Sequence, residues 1–154
     1  FELAETGHLI LASMNTADAV QSVNRLIEIF PRDQQPQVRT QLSFVLEAVV
    51  SQQLVNLASG SGRCPALEVL FANASVRSHI RDDRMHQIYA AIQTGAREGM
   101  VTMNASLADL VAQGRILRET ALAASGRVDE LTELLDIQQI HSEDRSRRNS
   151  TRVW

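Results

Sequence analysis

The stretch Glu5-Thr6-Gly7-His8-Leu9-Ile10-Leu11-Ala12-Ser13-Met14-Asn15-Thr16-Ala17-Asp18-Ala19 is the part of the sequence from which the fold is predicted. After a polar corner, the apolar run Leu9–Met14 has the length of one buried strand. Small polar residues then stand where a helix should begin. A strand that enters a helix through a polar turn is half of a βαβ unit, and ligands of open α/β sheets bind at such turns. We therefore expect Asn15 and Thr16 to lie beside a ligand.

Composition limits the classes of function. The 154 residues include 44% hydrophobic residues and carry a net charge of -3, which is ordinary for a globular domain. The single cysteine, Cys64, excludes an internal disulfide and favours a reducing compartment. No apolar run has the length of a membrane span. All 15 basic residues are arginine, so the P-loop motif G-x-x-x-x-G-K-[ST], which needs a lysine, is absent from these residues.

Hydrophobic spacing predicts a mixed α/β fold. Thr16 is expected to cap a helix over residues 17–30, and the apolar stripe from Val38 to Leu54 predicts a second, long helix over residues 33–54. The glycine- and serine-containing segment Ser59–Arg63 is interpreted as a hairpin or surface loop rather than a phosphate cradle. A second strand follows at Pro65–Phe71.

The second strand and the helical half complete the expected order of elements. Leu67, Val69 and Phe71 should share one face of the strand, with Glu68 on the other face, where it could pair with an arginine. The charged tail from about His141 lacks an apolar period and is expected to be disordered. The predicted short helices are Ser75–Arg81, Met85–Ile92, Asn104–Gln113, Arg118–Ala124 and Val128–Leu135.

Several motifs resemble, in order, those of the secretion and type IV pilus motor ATPases. The opening stretch is similar to the family's T-G-H-L-V…T-L-H-T, and the segment 42–54 to its L-S-x-x-L…I-S-Q-x-L. Residues 62–70 look like its G-R-x-P-A-x-E-V-L. The segment 75–82 resembles the A-I-R-N-L-I-R-E signature of the PilT-like retraction ATPases, and residues 87–103 resemble their Q-I…I-Q-T-G…G-M-Q-T-M run.

The resemblance implies a fold, an activity and partners. Residues 1–72 would be the C-terminal part of a RecA-like ATPase core, residues 73–140 a helical C-terminal region, and residues 141–154 the charged tail. The full-length parent would be a cytoplasmic homo-hexamer, peripheral to the inner membrane, that works with the pilus machinery in retraction and twitching motility. ATP and Mg would bind to that parent, whose Walker A and Walker B motifs would precede Phe1. We expect neither tight binding nor hydrolysis by this chain alone, and neither a metal site nor a nucleic-acid partner.

The resemblance also assigns the candidate site residues. Asn15 occupies the histidine position of the family's His box, near the γ-phosphate, and His8 matches its T-G-H histidine. Asn15 can donate a hydrogen bond but cannot hold a proton's charge, so it is either an altered phosphate sensor or a plain turn residue. His8 is interpreted as an orienting residue more than a catalytic one. Thr16 is a helix cap with a possible role as a nucleotide-side hydroxyl.

The motor signature contributes four further candidates, namely Arg77, Ile80, Arg81 and Asp82. Arg77 and Arg81 are four residues apart, so they should share one face of a helix, either as a solvated stripe or as a subunit contact. His79 stands where the signature has an apolar residue. An alternative function stays open, in which Asn15 marks a degenerate site and the chain is a non-catalytic assembly or regulatory subunit of a pilus or secretion motor.

Overall fold

The computed structural model describes the backbone of residues 2–150 and the side chains of residues 2–140. The expectation of a mixed α/β fold is confirmed, with one two-stranded sheet among the described residues. Two short 3₁₀ turns, Met85–Gln87 and Gly95–Glu98, flank the fifth helix. The regular elements are α1 (Glu2–Glu5), α2 (Ala19–Glu28), α3 (Gln35–Val45), β1 (Ala48–Asn56), β2 (Arg63–Phe71), α4 (Ala74–Arg81), α5 (Ile88–Thr94), α6 (Met103–Ala112), α7 (Arg118–Ala124) and α8 (Val128–Ser150).

The chain divides into two compact units. The first comprises Phe1–Gln52 with Leu67–Thr102, and the second comprises Gln53–Ala66 with Met103–Trp154. Each strand of the β1–β2 hairpin therefore contributes residues to both units. The assignment of residues 1–72 and 73–140 to an ATPase core and a helical region stays a prediction.

The first unit is built on a core that α2, α3, α4 and α5 share with β2. Burial of each large aliphatic side chain in it stabilises the fold by about 1.5–3 kcal/mol. An antiparallel bridge between Val69 and Val101 adds a backbone pairing outside the hairpin. The fully or nearly fully buried members are Ala19, Val23, Ile27, Val38, Leu42, Leu70, Ala72, Val76, Ile80, Met85, Ile88, Ile92 and Met100.

The second unit packs α6, α7 and α8 around the loop end of the hairpin. Asn104, which is buried, donates to the carbonyl of Arg127 at 3.0 Å and accepts from the hydroxyl of Ser125 at 2.7 Å. This network ties α6 to the connection before α8, because a buried amide must find partners. The buried apolar members are Val55, Cys64, Ala66, Met103, Leu107, Ala108, Leu110, Ile116, Ala121, Leu131 and Leu135.

The expectation of a buried strand at Leu9–Met14 is wrong. These residues have no regular secondary structure, and Leu9 and Leu11 are 80% and 88% exposed. A strand needs a neighbour that pairs with its backbone N–H and C=O groups. The sheet of the described part of the chain contains only β1 and β2, so no strand pairs with this run.

The expectation of one long helix over residues 33–54 is also wrong. The helix α3 begins at Gln35, carries Pro36 in its first turn and ends at Val45, and β1 begins at Ala48. Two valines at 49 and 50 favour a strand, and the hairpin partner β2 supplies the pairing. The loop turns back because Gly60 and Gly62 take φ values of 78° and 86°, which confirms the hairpin alternative for Ser59–Arg63.

The expected alternation at β2 is confirmed, whereas the expectation for the end of α8 needs correction. The buried face of β2 is formed by Cys64, Ala66, Glu68 and Leu70, whereas Phe71 of the other face is exposed. The alternation was predicted correctly, and Leu67, Val69 and Phe71 lie on the less buried face. The backbone of α8 continues as helix over residues 141–150, where a disordered tail was expected, and residues 151–154 lie outside the described part of the chain.

Candidate functional site

His8 lies at the end of α1, where the backbone forms a Schellman motif. The His8 N–H donates to the carbonyl of Leu3 at 3.1 Å, and the Gly7 N–H donates to that of Ala4 at 3.0 Å. Gly7 takes the left-handed φ of 91° that this motif requires. The polar corner predicted from the sequence is therefore a helix C-cap, and it fixes where the exposed His8 ring lies.

The hydrogen bonds of the His8 ring indicate its tautomer. Its Nδ1 lies 3.1 Å from the Leu3 carbonyl and 3.0 Å from the Thr6 hydroxyl oxygen. Thr6 gives its own proton to the same Leu3 carbonyl at 2.9 Å, so Nδ1 must be the donor. In the neutral ring, Nε2 is then an acceptor, which can take a proton from a ligand or bind a donor.

The turn before α2 is capped by Asp18, not by Thr16 as expected. The Asp18 carboxylate accepts from the Gln21 N–H at 2.7 Å, and Asp18 has the extended backbone of an N-cap residue. Thr16 instead contacts the hydroxyl of Ser22 at 2.6 Å. The helix consequently begins at Ala19, two residues later than predicted.

The donor and the acceptor of the hydrogen bond between Thr16 and Ser22 can be assigned. The Ser22 hydroxyl donates its one proton to the Asp18 carbonyl at 2.9 Å. Thr16 must therefore donate to Ser22, and only acceptor lone pairs remain on its oxygen. In this arrangement, Thr16 can bind a cation or a donor but cannot donate to a phosphate oxygen. Asn15 is exposed, and its side chain has no hydrogen-bond partner among the described residues.

Glu68 reaches the same turn from β2. The side chain is 2% exposed, and its Oε1 accepts from the backbone N–H of Ala19 at 2.8 Å. A carboxylate at a helix N-terminus satisfies a free N–H group and complements the helix dipole. A pairing of Glu68 with an arginine stays a prediction. Position 68 thus joins the hairpin to the first residue of α2.

The predicted signature helix is present as α4. Asn73 caps it by accepting from the Val76 N–H at 3.0 Å, and Val76 and Ile80 are fully buried. Ile80 is therefore a core residue of the first unit. His79 is partly buried, and its Nε2 lies 3.1 Å from the Ser75 hydroxyl, so the substituted position is accommodated by a polar contact within the helix.

Arg77 binds the end of the neighbouring helix α3. Its Nη1 donates to the carbonyls of Ser43 at 2.9 Å and Phe44 at 2.8 Å, and its Nη2 lies 3.3 Å from Oε1 of Glu47. The last carbonyls of a helix lack intrahelical partners, and a cation there is favourable. The guanidinium therefore holds α3, the α3–β1 connection and α4 together.

Arg81 and Asp82 lie on the exposed end of α4. The Nε of Arg81, whose side chain is 44% exposed, is 3.6 Å from Oδ1 of Asp82. The Ser78 hydroxyl donates to the Asp82 carboxylate at 3.0 Å, and Arg84 binds the same oxygen. The Ser78 hydrogen bond and the two guanidinium groups hold the pKa of Asp82 below its ordinary value, against an opposing effect of desolvation.

The structure thus separates the predicted residues into two groups. His8, Asn15 and Thr16 lie before α2, whereas Arg77, Ile80, Arg81 and Asp82 lie on or next to α4. No hydrogen bond or ion pair between described side chains joins the two groups. The two arginines also differ, because Arg77 is used within the unit and Arg81 faces solvent. The roles of the first group in nucleotide chemistry and of the second group in motor output stay predictions. The sequence did not predict the contact of Arg77 with Glu47 or that of Glu68 with Ala19, because each joins residues that are 30 or more positions apart.

Within the described residues, no group of three or more histidine, cysteine or acidic side chains is arranged to hold a metal ion. No helix among them has the length and apolarity needed to cross a membrane. The candidate site is the turn at Asn15–Thr16 with Asp18, Ser22 and Glu68, whose hydrogen bonds hold the turn and the start of α2.

Comparison with known proteins identifies relatives. No protein-family model matches the chain. It is 43% identical over 118 residues to a twitching motility protein of Neisseria gonorrhoeae, covering 77% of this chain and 32% of that protein. It is 41% identical over 118 residues to the type IV pilus retraction ATPase PilT of Pseudomonas aeruginosa, covering 77% of this chain and 34% of that protein. The chain thus spans about a third of the length of the curated relatives it matches.

A solved structure agrees with the sequence relatives. The pilus retraction motor PilT with bound ADP superposes with a TM-score of 0.75 and 38% identity, over 86% of this chain and 38% of that one. The matched region is the C-terminal part of the ATPase. The resemblance found in the sequence is confirmed by both comparisons.

Proposed function

Because the chain is a homologue of the PilT-like pilus retraction ATPases, we propose that it is the C-terminal part of a motor that hydrolyses ATP to retract type IV pili. The match to the ADP-bound retraction motor, at 38% identity over most of this chain, supports the proposal most directly. A hexamer, a cytoplasmic location at the inner membrane and contact with the pilus machinery belong to the same proposal.

The proposed role of these residues is confined to one side of a nucleotide site. ATP with Mg would be bound by P-loop residues that the 154 residues do not contain, and it would supply the phosphoryl group that is cleaved. Asn15 would donate its amide N–H groups to phosphate oxygens, and the Nε2 of His8 would accept a proton or a hydrogen bond. Thr16, whose proton is given to Ser22, would offer only its lone pairs.

A chimera tests the proposal. The C-terminal part of Pseudomonas aeruginosa PilT is replaced by residues 6–135 of this chain, and ATP hydrolysis and twitching are measured. We expect magnesium-dependent turnover and twitching zones above those of a host whose P-loop lysine is replaced. A folded, oligomeric chimera that neither hydrolyses ATP nor supports twitching would refute the motor role.

A second function is favoured by the residue at position 15. Asn15 lacks the titratable group that the relatives' motif carries at this place, so a non-catalytic assembly or regulatory subunit is the alternative. On this view, the chimera assembles with normal PilT subunits and binds nucleotide but stays inactive on its own. Mixing chimera and normal subunits at known ratios distinguishes the two functions, because a regulatory subunit changes the activity of the mixture without adding turnover of its own.

A further inference from the structure

Glu68 is a buried acidic side chain whose carboxylate accepts a hydrogen bond from a backbone amide. It is 2% exposed and belongs to β2, and one of its contacts is with the N–H of Ala19, 49 residues earlier in the chain. A buried carboxylate is costly unless hydrogen bonds satisfy it. The helix N-cap itself is already provided by Asp18, which uses the N–H of Gln21. Glu68 is thus a second carboxylate at the start of a helix that already has an N-cap residue.

The contact continues to the candidate site through hydroxyl groups. Ser22, one turn after Ala19, is 6% exposed and accepts from Thr16 at 2.6 Å while donating to the Asp18 carbonyl. A continuous set of hydrogen bonds therefore leads from β2 through the first turn of α2 to Thr16. Asn15 immediately precedes Thr16, is exposed, and makes no side-chain hydrogen bond with any described residue.

We propose that Glu68 is the positioning residue of the Asn15–Thr16 turn, because its contact with Ala19 fixes the start of α2, and with it the turn, relative to strand β2. Glu68 acts through Ala19 and does not itself reach a nucleotide. The role of the turn rests on the proposed function, whereas the mechanical link from β2 to Thr16 does not. The test therefore has one arm for each.

The first arm uses the 154-residue chain and measures backbone amide exchange and chemical shifts by NMR. Glu68→Gln keeps an oxygen that can accept from Ala19, and Glu68→Ala removes it. We expect exchange at Ala19 to rise by about tenfold or more in Glu68→Ala and to stay near the unmodified value in Glu68→Gln. The amide signals of Asn15 and Thr16 should move in the same variant only.

Two further variants make this arm decisive. Glu28→Ala removes an exposed carboxylate from the last residue of α2 and should leave the turn signals unchanged. Should Glu68→Ala fail to fold, Glu68→Asp replaces it, because its carboxylate is one methylene too short for the contact. Turn signals that do not move when Ala19 loses protection, or a Gln variant that behaves like the Ala variant, would overturn the link.

The second arm measures kcat and KM in the chimera with PilT. If Glu68 acts by positioning Asn15, Glu68→Ala and Asn15→Ala should lower kcat by similar factors, and the double variant should be no slower than the slower single variant. The KM for ATP should change less than twofold. If the kcat losses of Glu68→Ala and Asn15→Ala add in the double variant, Glu68 does not act by positioning Asn15. An inactive parent chimera would refute the proposed function instead, and the NMR arm would still decide the link.

Discussion

The guanidinium Nη1 of Arg77 and the carbonyl oxygen of Ser43 are 2.9 Å apart, so a residue of α4 closes the last turn of α3. We expect Arg77→Ala to lower the free energy of unfolding by about 2 kcal/mol, since hydrogen bonds from a charged group are lost and helix carbonyls lose their partner. Urea denaturation of the 154-residue chain measures this change.

The matched control is Arg81→Ala, which removes an arginine from the exposed side of the same helix. Its effect should be within about 0.5 kcal/mol. Arg77→Lys should recover only part of the loss, because an ammonium group cannot reproduce the planar fork of the guanidinium. Equal losses for Arg77→Ala and Arg81→Ala would show that the Arg77 contacts add no stability.

Asp83 takes a left-handed backbone conformation, with φ of 56°, immediately after α4. The Arg84 N–H donates to the His79 carbonyl at 2.8 Å, which is the Schellman pattern that usually places glycine here. Asp83→Ala should therefore destabilise the fold by about 1 kcal/mol, since alanine is strained at positive φ and the ion pair with Arg39 is lost. Thermal unfolding measures the change.

Glycine and asparagine variants of Asp83 separate the cost of backbone strain from the loss of the ion pair with Arg39. Asp83→Gly removes the ion pair but relieves the strain, and Asp83→Asn keeps a residue that tolerates this conformation. We expect both to be closer to the unmodified chain than Asp83→Ala. An alanine variant as stable as the glycine variant would contradict a backbone cost at this site.

Asp82 should titrate below 3.8, the ordinary value for the group. Because its pKa is lower in the folded state than in the unfolded state, the contribution to stability is present above pH 3.8 and is lost as the pH falls through the folded value. Carbon-detected NMR titration of the carboxyl group measures the pKa. Ser78→Ala should raise it toward 3.8, since the Ser78 hydrogen bond is its largest cause. An unchanged pKa in that variant would assign the effect to the arginines.

Asn15→His introduces the histidine that the resemblance to the secretion and pilus motor ATPases implies at this turn. In the PilT chimera, we expect kcat to rise by about tenfold or more, with a pH dependence that inflects near about 6.5. Asn24→His, which adds a histidine to α2, should change neither. Absence of both effects at position 15 would support the interpretation of Asn15 as a plain turn residue.

The isolated 154-residue chain should release no phosphate from ATP in the presence of Mg, because it contains no lysine and hence no P-loop motif. A phosphate-release assay beside full-length PilT checks this. Turnover that survives repurification and depends on magnesium would contradict the proposal that the nucleotide is held by residues outside these 154.

Local signals in the sequence were sufficient for several elements. The helix Arg118–Ala124 was predicted at its observed bounds, and α4 begins one residue earlier than expected. Both segments have apolar residues at helical spacing. Gly114 and Gly126 lie on either side of the helix Arg118–Ala124 and limit its length. The hairpin loop was found because glycine and serine cluster at 59–62.

Long-range contacts account for the errors. The apolar spacing over residues 48–54 fits a helix as well as a strand, and pairing with β2 makes this segment a strand. Similarly, β2 buries Ala66 and Glu68 rather than Phe71, and Glu68 contacts the first residue of α2, which lies 49 residues away in the sequence. The motifs located Asn15 and Arg77, but they could not indicate that Arg77 faces α3 while Arg81 faces solvent.

The burial of Cys64 has a practical consequence for following how this protein opens. It is the one cysteine of the sequence, lies on the inner face of β2 and is 2% exposed. A thiol reagent can therefore react only when the surrounding core of α6, α7 and α8 opens, and the reaction yields a single adduct per chain. The dependence of the labelling rate on reagent concentration then gives both the frequency of opening and its free energy, without any engineered probe.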